Sequence, residues 1–372
     1  MSEKQNEYKD AGVEKGLNKK PSFELSHDEA EGLVKELSSF SGLISHDNPV
    51  TEGDIKSLEG VVQKTAGAVE SIPDLKRNLE IWEEIKKGNL KNIKKLTYIT
   101  DEVAEYLSSP DIYHVHLDGL TSISDSVAEK LSKNKGYLSL PGLTSLSDTA
   151  AKYLARHEAS GTNLNGLTSL SDTSAEYFSE HKGSLRLGSL VNVSDKALGF
   201  LSKNIGDLSL NGLVSLSDTA AEYLADHSEG NLSLDSLSTI SDYAAECLSH
   251  HKSRNSNSGD GLYLGVTSLS DTSAEYLSHL GSTTLSLKNL TQISDTAAKY
   301  LGDYKGSLNL GGLTSLSDSA AESLSKITDE LLLYKLTDFS DTAAESLAHC
   351  HYGGDSLGLP FESKNRVLKF KK

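Results

Sequence analysis

The stretch from Leu208 to Leu224 reads LSLNGLVSLSDTAAEYL, and it decides the architecture of the chain. Close copies begin at Leu138 (LSLPGLTSLSDTAAKYL) and at Leu308 (LNLGGLTSLSDSAAESL). The aspartate of this pattern recurs eleven times, at intervals of 23 or 24 residues with one interval of 29: Asp101, Asp125, Asp148, Asp172, Asp195, Asp218, Asp242, Asp271, Asp295, Asp318 and Asp341. A fixed period of this length indicates an array of small repeated units instead of two or three independent globular domains.

Within each unit the spacing of the apolar residues changes from alternation to a helical period. Leu208 and Leu210 alternate with polar residues, which predicts a short strand with both leucines facing inward. Gly212 favours a tight turn, because a Cβ would resist the backbone conformations of such a turn. Ser217 and Asp218 carry side-chain oxygens that can accept hydrogen bonds from free N–H groups, so a short helix is predicted to begin there.

The helical half of each unit has its own pattern. Counting from the aspartate, the third following residue is alanine in ten of the eleven units, and the sixth is leucine in ten. This spacing places both residues on one face of a helix, and alanine lets that helix approach the strand closely. Because a unit of this size cannot bury its apolar face alone, the units are predicted to stack with their strands in one parallel sheet. The prediction is an α/β solenoid of about eleven repeats.

The pattern L-x-L-x-x-L-x-x-L/I-S/T-D-x-x-A-x-x-L resembles the leucine-rich repeats, especially the bacterial forms and the cysteine-containing class of eukaryotic F-box proteins. The resemblance covers roughly residues 90–360 and implies a curved solenoid that binds other proteins on its sheet surface. The chain departs from the family at one position. Where relatives usually have Asn or Cys after the strand, it has leucine, so packing is expected to replace the side-chain ladder of the family at Leu143, Leu167, Leu213, Leu290 and Leu313.

The segments that flank the repeats differ from them in composition. Residues 1–25 are rich in Lys, Glu and Asn, which predicts a disordered polar segment. Residues 26–89 are predicted to form a helical N-terminal cap, with a separate partner-binding module as the alternative. The solenoid itself is placed at residues 90–352. Residues 353–372 are predicted to add a capping strand that begins at Leu357 and Leu359, with a basic tail that discourages edge-to-edge association.

The chain carries 53 acidic and 36 basic residues, for a net charge of −17. Much of the negative charge belongs to the repeat, in its aspartates and in glutamates on the helices. Such a surface repels phosphate backbones, so nucleic acid is not an expected partner, whereas a basic protein surface is permitted. The sequence contains no apolar run long enough for a membrane helix, so no membrane partner is expected.

Two further features bear on localisation. The first residues are too charged for a secretory signal peptide. Only two cysteines occur, Cys247 and Cys350, which excludes a disulfide-stapled scaffold and is compatible with a reducing compartment. A cytoplasmic location is therefore expected, with secretion that uses no classical signal peptide as the alternative.

The motifs that usually carry enzymatic chemistry are absent from the sequence. The sequence has no phosphate-binding loop, no dinucleotide fingerprint in a strand-turn-helix context, no H-E-x-x-H and no paired C-x-x-C. The repeated serines are interpreted as helix caps, since a nucleophilic serine needs an adjacent base. The chain is therefore not expected to be an enzyme or to bind a cofactor.

Four histidines recur at one position of the repeat. His157, His181, His227 and His251 follow the repeat aspartate by nine residues, near a helix C-terminus, where a partly protonated imidazole would suit the helix dipole. They are interpreted as structural residues that stack against the neighbouring repeat.

Three other residues are weak candidates for chemistry. His114 and His116 alternate with inward residues, so both project from one face of a strand, followed there by Asp118. They are the only candidates for metal ligands. Cys350 lies between His349 and His351, which could lower the pKa of its thiol.

The outward positions of the strands form the surface on which a binder with this fold is expected to grip. They read His116, Ser139, Asn163, Arg186, Ser209, Ser233, Tyr263, Ser286, Asn309 and Leu332. Because interface hot spots favour aromatic residues and arginine, the candidate partner-binding residues are Arg186 and Tyr263, with Lys288 and Tyr334 on adjoining outward positions.

The one long interval contains a Ser/Asn/Gly-rich insertion at residues 250–261. Insertions in repeat arrays fall in loops, and loops on a scaffold often carry binding. His250, His251 and Arg254 are therefore added to the candidate partner-binding residues. A tolerated insertion without function is the alternative.

Together these features favour a non-enzymatic scaffold that presents an acidic solenoid surface to another protein. The resemblance to bacterial leucine-rich repeats implies that the protein is bacterial. One alternative is a secreted bacterial effector that uses the repeats to bind a host protein. A second is a structural array without a dedicated binding site. The identity of the partner and the oligomeric state are left open by the sequence.

Overall fold

The computed structural model describes residues 80–85, 87–157, 161–228, 230–251, 261–281, 283–350 and 357–371. The predicted disordered segment 1–25 and almost all of the predicted helical cap 26–89 lie outside the described residues. Of that cap, residues 80–85 are helical. Ile81 and Ile85 are buried there, and Trp82 packs against the same core.

In the described part of the chain, ten short strands form one parallel sheet whose spatial order equals the chain order. Each strand pairs only with the strand of the repeat before it and of the repeat after it, as a stack of repeats requires. The strands are β1 His114–His116, β2 Tyr137–Ser139, β3 Gly161–Asn163, β4 Ser184–Arg186, β5 Leu208–Ser209, β6 Leu232–Leu234, β7 Gly261–Leu264, β8 Thr284–Ser286, β9 Ser307–Asn309 and β10 Leu331–Leu332.

A helix begins at every one of the eleven repeat aspartates. The helices are α1 Asp101–Leu107, α2 Asp125–Leu131, α3 Asp148–Ala155, α4 Asp172–Phe178, α5 Asp195–Leu201, α6 Asp218–Ala225, α7 Asp242–Ser249, α8 Asp271–Ser278, α9 Asp295–Gly302, α10 Asp318–Leu324 and α11 Asp341–Ala348. The first repeat has a 3-10 helix, Ile93–Lys95, in the place of a strand. The predicted α/β solenoid with one strand and one helix per repeat is confirmed.

The core is a continuous column of leucine and alanine between the sheet and the helices. In the central repeat, Leu208, Leu210, Ala221 and Leu224 are all fully buried. The leucines that replace the family's Asn or Cys are buried as well, so packing holds that position as expected. Burying a leucine side chain contributes about 1.5–3 kcal/mol, and each repeat provides several.

The turn after the strand needs glycine for a reason that differs from the expected one. Gly212 does not have a left-handed backbone conformation. A Cβ at this position would instead lie 2.7 Å from the carbonyl oxygen of Leu190, in the turn of the preceding repeat. Glycine therefore permits the close stacking of successive turns.

The serine before the aspartate caps the helix in ten of the eleven repeats, as predicted, and Thr100 does so in the first. In α6, for example, the Ser217 side chain accepts a hydrogen bond from the Ala220 N–H group. The aspartate does not share this role, because it occupies the first helical position. In eight repeats it accepts instead a hydrogen bond from the capping serine of the next repeat. This Ser–Asp ladder comprises Ser147–Asp125, Ser171–Asp148, Ser194–Asp172, Ser241–Asp218, Ser270–Asp242, Ser294–Asp271, Ser317–Asp295 and Ser340–Asp318.

The end of the chain corrects the prediction of a capping strand with a basic tail. Leu357 is buried, and its carbonyl oxygen accepts a hydrogen bond from Leu333 N, but the residues that follow form a helix, α12 Phe361–Leu368. Pro360 precedes this helix at the N-cap position, where it has no N–H group of its own to satisfy. The buried Val367 faces the repeats, so α12 covers the open end of the stack with a helix face.

Arg366 of α12 ends the Ser–Asp ladder. Its Nε and Nη2 atoms donate hydrogen bonds of 2.9 and 2.7 Å to Asp341 Oδ1, and Nη1 donates to the Phe339 carbonyl oxygen. The guanidinium thus takes the place that a twelfth capping serine would have. The basic residue that was assigned to an edge strand acts as a cap for the final repeat.

A second buried column lies nine residues after ten of the eleven aspartates, from Asp125 onward, and we call it the inner column. Its residues are Asn134, His157, His181, Asn204, His227, His251, Leu280, Tyr304, Ile327 and Cys350, each at most 7% exposed. Several of its polar members bond the backbone of the preceding repeat. Asn204 Nδ2, for example, donates to the carbonyl oxygens of His181 (3.0 Å) and Gly183 (3.1 Å). A side-chain ladder therefore exists in the inner column, and not at the position after the strand where the family usually has Asn or Cys.

The histidines of the inner column stack in pairs, which confirms the structural interpretation. The ring centroids of His157 and His181 are 6.5 Å apart, and those of His227 and His251 are 5.8 Å apart. The expectation of partial protonation is wrong for His157, His181 and His227, because their rings are fully buried. Desolvation lowers the pKa of His157 to about 4 and also lowers the pKa values of His181 and His227.

Candidate protein-interaction surface

The outward-facing strand residues form one continuous row across the sheet, which we call the outer row. The strand pairing aligns His116 with Ser139, Ser139 with Asn163, and so on to Leu332. This is the set and order of residues that the sequence predicts. Most members are small and polar, so the larger side chains on this face project above their neighbours.

Arg186 is the exposed cation of the outer row. Its guanidinium carbon lies 5.7 Å from the ring centroid of Tyr137, a residue two strands away on β2. A cation over an aromatic face is held by the ring quadrupole, and the contact reduces the freedom of the arginine. The partner of Arg186 could not be read from the sequence, because the two residues are separated by 49 positions.

Tyr334 is the most exposed aromatic residue of the candidate set, at 54% of its maximal surface. It follows β10, and its ring lies between two glycines. A Cβ added to Gly311 or to Gly358 would approach the ring to 2.7 Å. The absence of side chains at these two positions therefore makes room for the Tyr334 ring on the sheet face.

Lys288 and Tyr263 are placed differently from these two residues. Lys288 Nζ lies 2.9 Å from Asp235 Oδ2 in an ion pair that joins two repeats. Tyr263 on β7 is half-buried in the outer row, between Ser233 and Ser286 in register. Both residues lie on the sheet face as predicted. Lys288 would have to leave the Asp235 carboxylate in order to contact a bound protein.

Asparagine and aspartate side chains brace the loops that border the sheet face. Asn165 Oδ1 accepts from Gly188 N at 2.7 Å, and Asn211 Oδ1 accepts from Asp235 N at 3.0 Å. Asn231 Oδ1 accepts from Gly261 N at 2.8 Å in the same way. Sequence reasoning missed these braces. The recurrence of Asn or Asp next to the strands at a spacing of one repeat is the signal that could have found them.

The residues predicted around the insertion do not form a second surface patch. His250 is exposed at the end of α7, where its Nδ1 lies 2.9 Å from the Glu246 carbonyl oxygen. His251 belongs to the inner column and is fully buried, so its assignment as a partner-binding residue is wrong. Arg254 and the rest of the insertion up to residue 260 lie outside the described residues.

The weak metal candidates are exposed on the first strand, as predicted. His114 and His116 flank the buried Val115, and the Tyr137 N–H group donates to His114 Nδ1 at 3.4 Å. Within the described ranges, no three His, Cys, Asp or Glu side chains come together in a set that could hold a metal ion, even with Asp118 considered.

The pKa values of the two thiols are raised, whereas the sequence suggested a lowered pKa for Cys350. Burial raises the pKa of Cys350 to about 11, so the prediction of a lowered pKa is wrong for this thiol. Burial also raises the pKa of Cys247, and both cysteines are free thiols. Because only a thiolate is strongly nucleophilic, neither residue is prepared for covalent chemistry at neutral pH.

The geometry defines the class of fold. A parallel sheet of single short strands, a helix after each strand and a leucine core of fixed period together make the chain a leucine-rich repeat solenoid. Among the described residues, no helix is long and apolar enough to cross a membrane.

Comparison with known proteins places the chain beside solved structures of low sequence identity. It is similar to a structure of the yeast Rad7 and Elc1 complex, with 18% identity over 81% of this chain and 85% of that chain, at a TM-score of 0.44. It is also similar to an internalin from Listeria monocytogenes, with 18% identity over 63% and 69% of the two chains, at a TM-score of 0.35. No family model and no curated protein matches the sequence.

Proposed function

We propose that the protein is a non-enzymatic scaffold that binds another protein on its sheet face. The observation that carries this proposal is the outer row, in which ten side chains from ten strands lie in register on one face. Arg186 and Tyr334 project from that face among small polar residues. Arginine and tyrosine are residue types in which binding energy concentrates at protein interfaces.

The two proposed anchors are held in place before any partner arrives. The Arg186 guanidinium lies against Tyr137, and the Tyr334 ring occupies the space between Gly311 and Gly358. Side chains that are already ordered lose less conformational entropy on binding, so they favour association more strongly. The asparagine braces at the sheet border support the same arrangement.

The charge of the chain supports a partner with a basic surface. The net charge is −17, and the repeat aspartates place a carboxylate at the start of each helix. Opposite charge on the partner would raise the rate of association, an effect that falls as salt is added. The two free thiols support the further proposal that the protein functions in a reducing compartment.

The proposal is tested by affinity capture from the native host with matched variants. The test variant R186A/Y334A removes both anchors from the sheet face. The control K203A/Y223A removes a lysine and an exposed tyrosine from the helix side. We expect the wild type and the control to capture the same partner protein, and we expect the test variant to lose it.

Two results would contradict the proposal. Equal capture by the test and control variants would move the binding site away from the sheet face. The absence of any reproducible captured protein would favour a structural array without a dedicated binding site.

A further inference from the structure

A cleft of about 450 Å³ lies on the helix side of the coil, between the C-terminal parts of α3 and α4. Its lining includes Lys152, Arg156, Tyr177, Glu180 and Lys182. Three of these residues are cationic and one is anionic, although the chain as a whole is strongly acidic. The volume is in the range of pockets that hold small organic ligands, which is about 300–1,000 Å³.

The charge of the cleft arises at a helix position where three of the eleven repeats depart from the common glutamate. The fourth residue after the aspartate is glutamate in eight of the eleven repeats, but in the repeat of α3 it is Lys152. Four residues later, and thus on the same helix flank, is Arg156. The equivalent residues on α6 are Glu222 and Asp226, so the same place in another repeat carries two negative charges.

The side chains of the cleft are arranged for an anion with an apolar part. Lys152 Nζ lies 5.7 Å from the ring centroid of Tyr177, which forms an aromatic wall. Arg156 is exposed, and in the described part of the chain its side chain makes no hydrogen bond or ion pair. An arginine fork binds phosphate or carboxylate through two parallel hydrogen bonds.

A buried polar atom lies in the wall of the same cleft. His157 lines the cleft and is fully buried, with its Nδ1 atom 3.0 Å from Thr162 Oγ1. Its Nε2 atom has no hydrogen-bond partner among the described residues. The Nε2 atoms of His181 and His227 are unpaired in the same way, so this feature belongs to the inner column, and the proposal rests on the shape and charge of the cleft.

We propose that this cleft binds an aromatic organic anion that carries a phosphate or carboxylate group. Arg156 and Lys152 contact the anionic group, and the ring of Tyr177 packs against the aromatic part. This site is separate from the proposed protein-binding face, because its residues lie on and after the helices, away from the outer row.

Calorimetric titration tests the proposal with phenyl phosphate and benzoate as anionic probes and phenol as the neutral one. The full-length wild type is expected to bind at least one of the two anions and not phenol, and the preferred anion distinguishes phosphate from carboxylate. The variant K152E/R156D installs the charges found on α6, and we expect it to bind at least about tenfold more weakly.

A matched control separates local recognition from net charge. K299E/K326D makes the same change of net charge at the fourth and eighth positions of two other repeats, where both lysines are exposed. It is expected to retain wild-type affinity, and circular dichroism verifies that both variants are folded. R186A/Y334A is also expected to bind the probe normally, so failure of the protein-binding proposal leaves this one standing.

Three outcomes would overturn the proposal. The first is an equal loss of binding in K152E/R156D and K299E/K326D, which would indicate unspecific attraction. The second is binding of phenol as tight as that of the anions. The third is the absence of any binding of phenyl phosphate and benzoate by the wild type at low salt.

Discussion

The two halves of the solenoid solve the same packing problem with different chemistry. Both have inward leucines and capping serines, with Val115, Thr162 and Phe178 in place of leucine in the first half, but the inner column is polar from Asn134 to His251 and mostly apolar from Leu280 to Cys350. In the first half, buried side chains bond carbonyl oxygens of the preceding repeat. In the second, Tyr304 alone does so, through hydroxyl contacts of 3.2 Å to Gly281 and 3.0 Å to Thr283. The comparison shows that the leucine lattice defines the fold, while the inner column is free to vary.

Removal of a core leucine should have the largest effect, and it should be equal in the two halves. Leu185 on β4 and Leu308 on β9 are both fully buried in equivalent positions. We expect L185A and L308A each to lower the free energy of unfolding by about 2–5 kcal/mol, as measured by urea denaturation. If the losses of unfolding free energy in L185A and L308A differed from each other by more than the width of this range, the leucine lattice would not be equivalent in the two halves.

Exchange of inner-column residues should have a smaller effect, and it should be harmful in both directions. N204L leaves the carbonyl oxygens of His181 and Gly183 without the bonds they now accept. L280N places an amide among apolar neighbours. We expect each variant to lose about 1–3 kcal/mol in urea denaturation, because an unsatisfied buried polar group costs this much. If N204L were neutral, the polar ladder would contribute nothing to stability.

As the pH falls, the first half of the solenoid should lose stability at a higher pH than the second half. Burial lowers the pKa of His157 from its ordinary 6.5 to about 4, so the unfolded chain binds more protons between these values. Stability is therefore fully present above about pH 6.5 and is lost as the pH falls towards 4. Hydrogen exchange at pH 7 and pH 5, corrected for intrinsic rates, should show a loss of protection in α3 to α7 and less change in α8 to α11.

A variant pair sharpens this prediction. H227L/H251L gives two positions of the inner column the apolar character of Leu280, and it should reduce the dependence of stability on pH. H250Q removes a neighbouring exposed histidine and should leave that dependence unchanged. Equal pH profiles for the wild type and H227L/H251L would contradict the assignment of acid sensitivity to the buried rings.

The smallest effect is expected at the C-terminal end. R366A removes the hydrogen bonds to Asp341 and Phe339 that close the Ser–Asp ladder. Because the ion pair is largely exposed, we expect a loss of about 1 kcal/mol or less in overall stability, with faster hydrogen exchange confined to α11 and α12. K369A, on the same segment, is the control and should have no such local effect.

The sequence predicted what depends on periodicity. The inward leucines, the capping serines and the complete outer row follow from a period of two in the strand and a period of three to four in the helix. The contact of Ser147 with Asp125 could not be predicted in this way, because it depends on which atoms of neighbouring repeats come together. Inner-column bonds such as those of Asn204 were missed for the same reason.

Other features lie where the repeat pattern stops or changes. Residues after Leu359 have no copy elsewhere in the chain, so a strand was extrapolated where Pro360 and Val367 form part of a helical cap. The basic cleft depends on two charge reversals, at Lys152 and Arg156, whose effect requires the packing of α3 against α4. In the sheet face, the positions of Arg186 and Tyr334 were predicted, whereas their supports, Tyr137 and the two glycines, were not.

Distances between spin labels on the outer row test the central claim most directly, which is that the repeats of both halves stack in one order. His116 and Ser209 are four strands apart, as are Ser209 and Asn309, although 93 residues separate the first pair and 100 the second. With strands about 4.8 Å apart, electron–electron dipolar spectroscopy of the labelled cysteine pairs should give similar distances of about 20 Å for both. The pair at His116 and Asn309 should give about 35–40 Å. A separation of His116 and Asn309 no larger than that of the shorter pairs would contradict the solenoid.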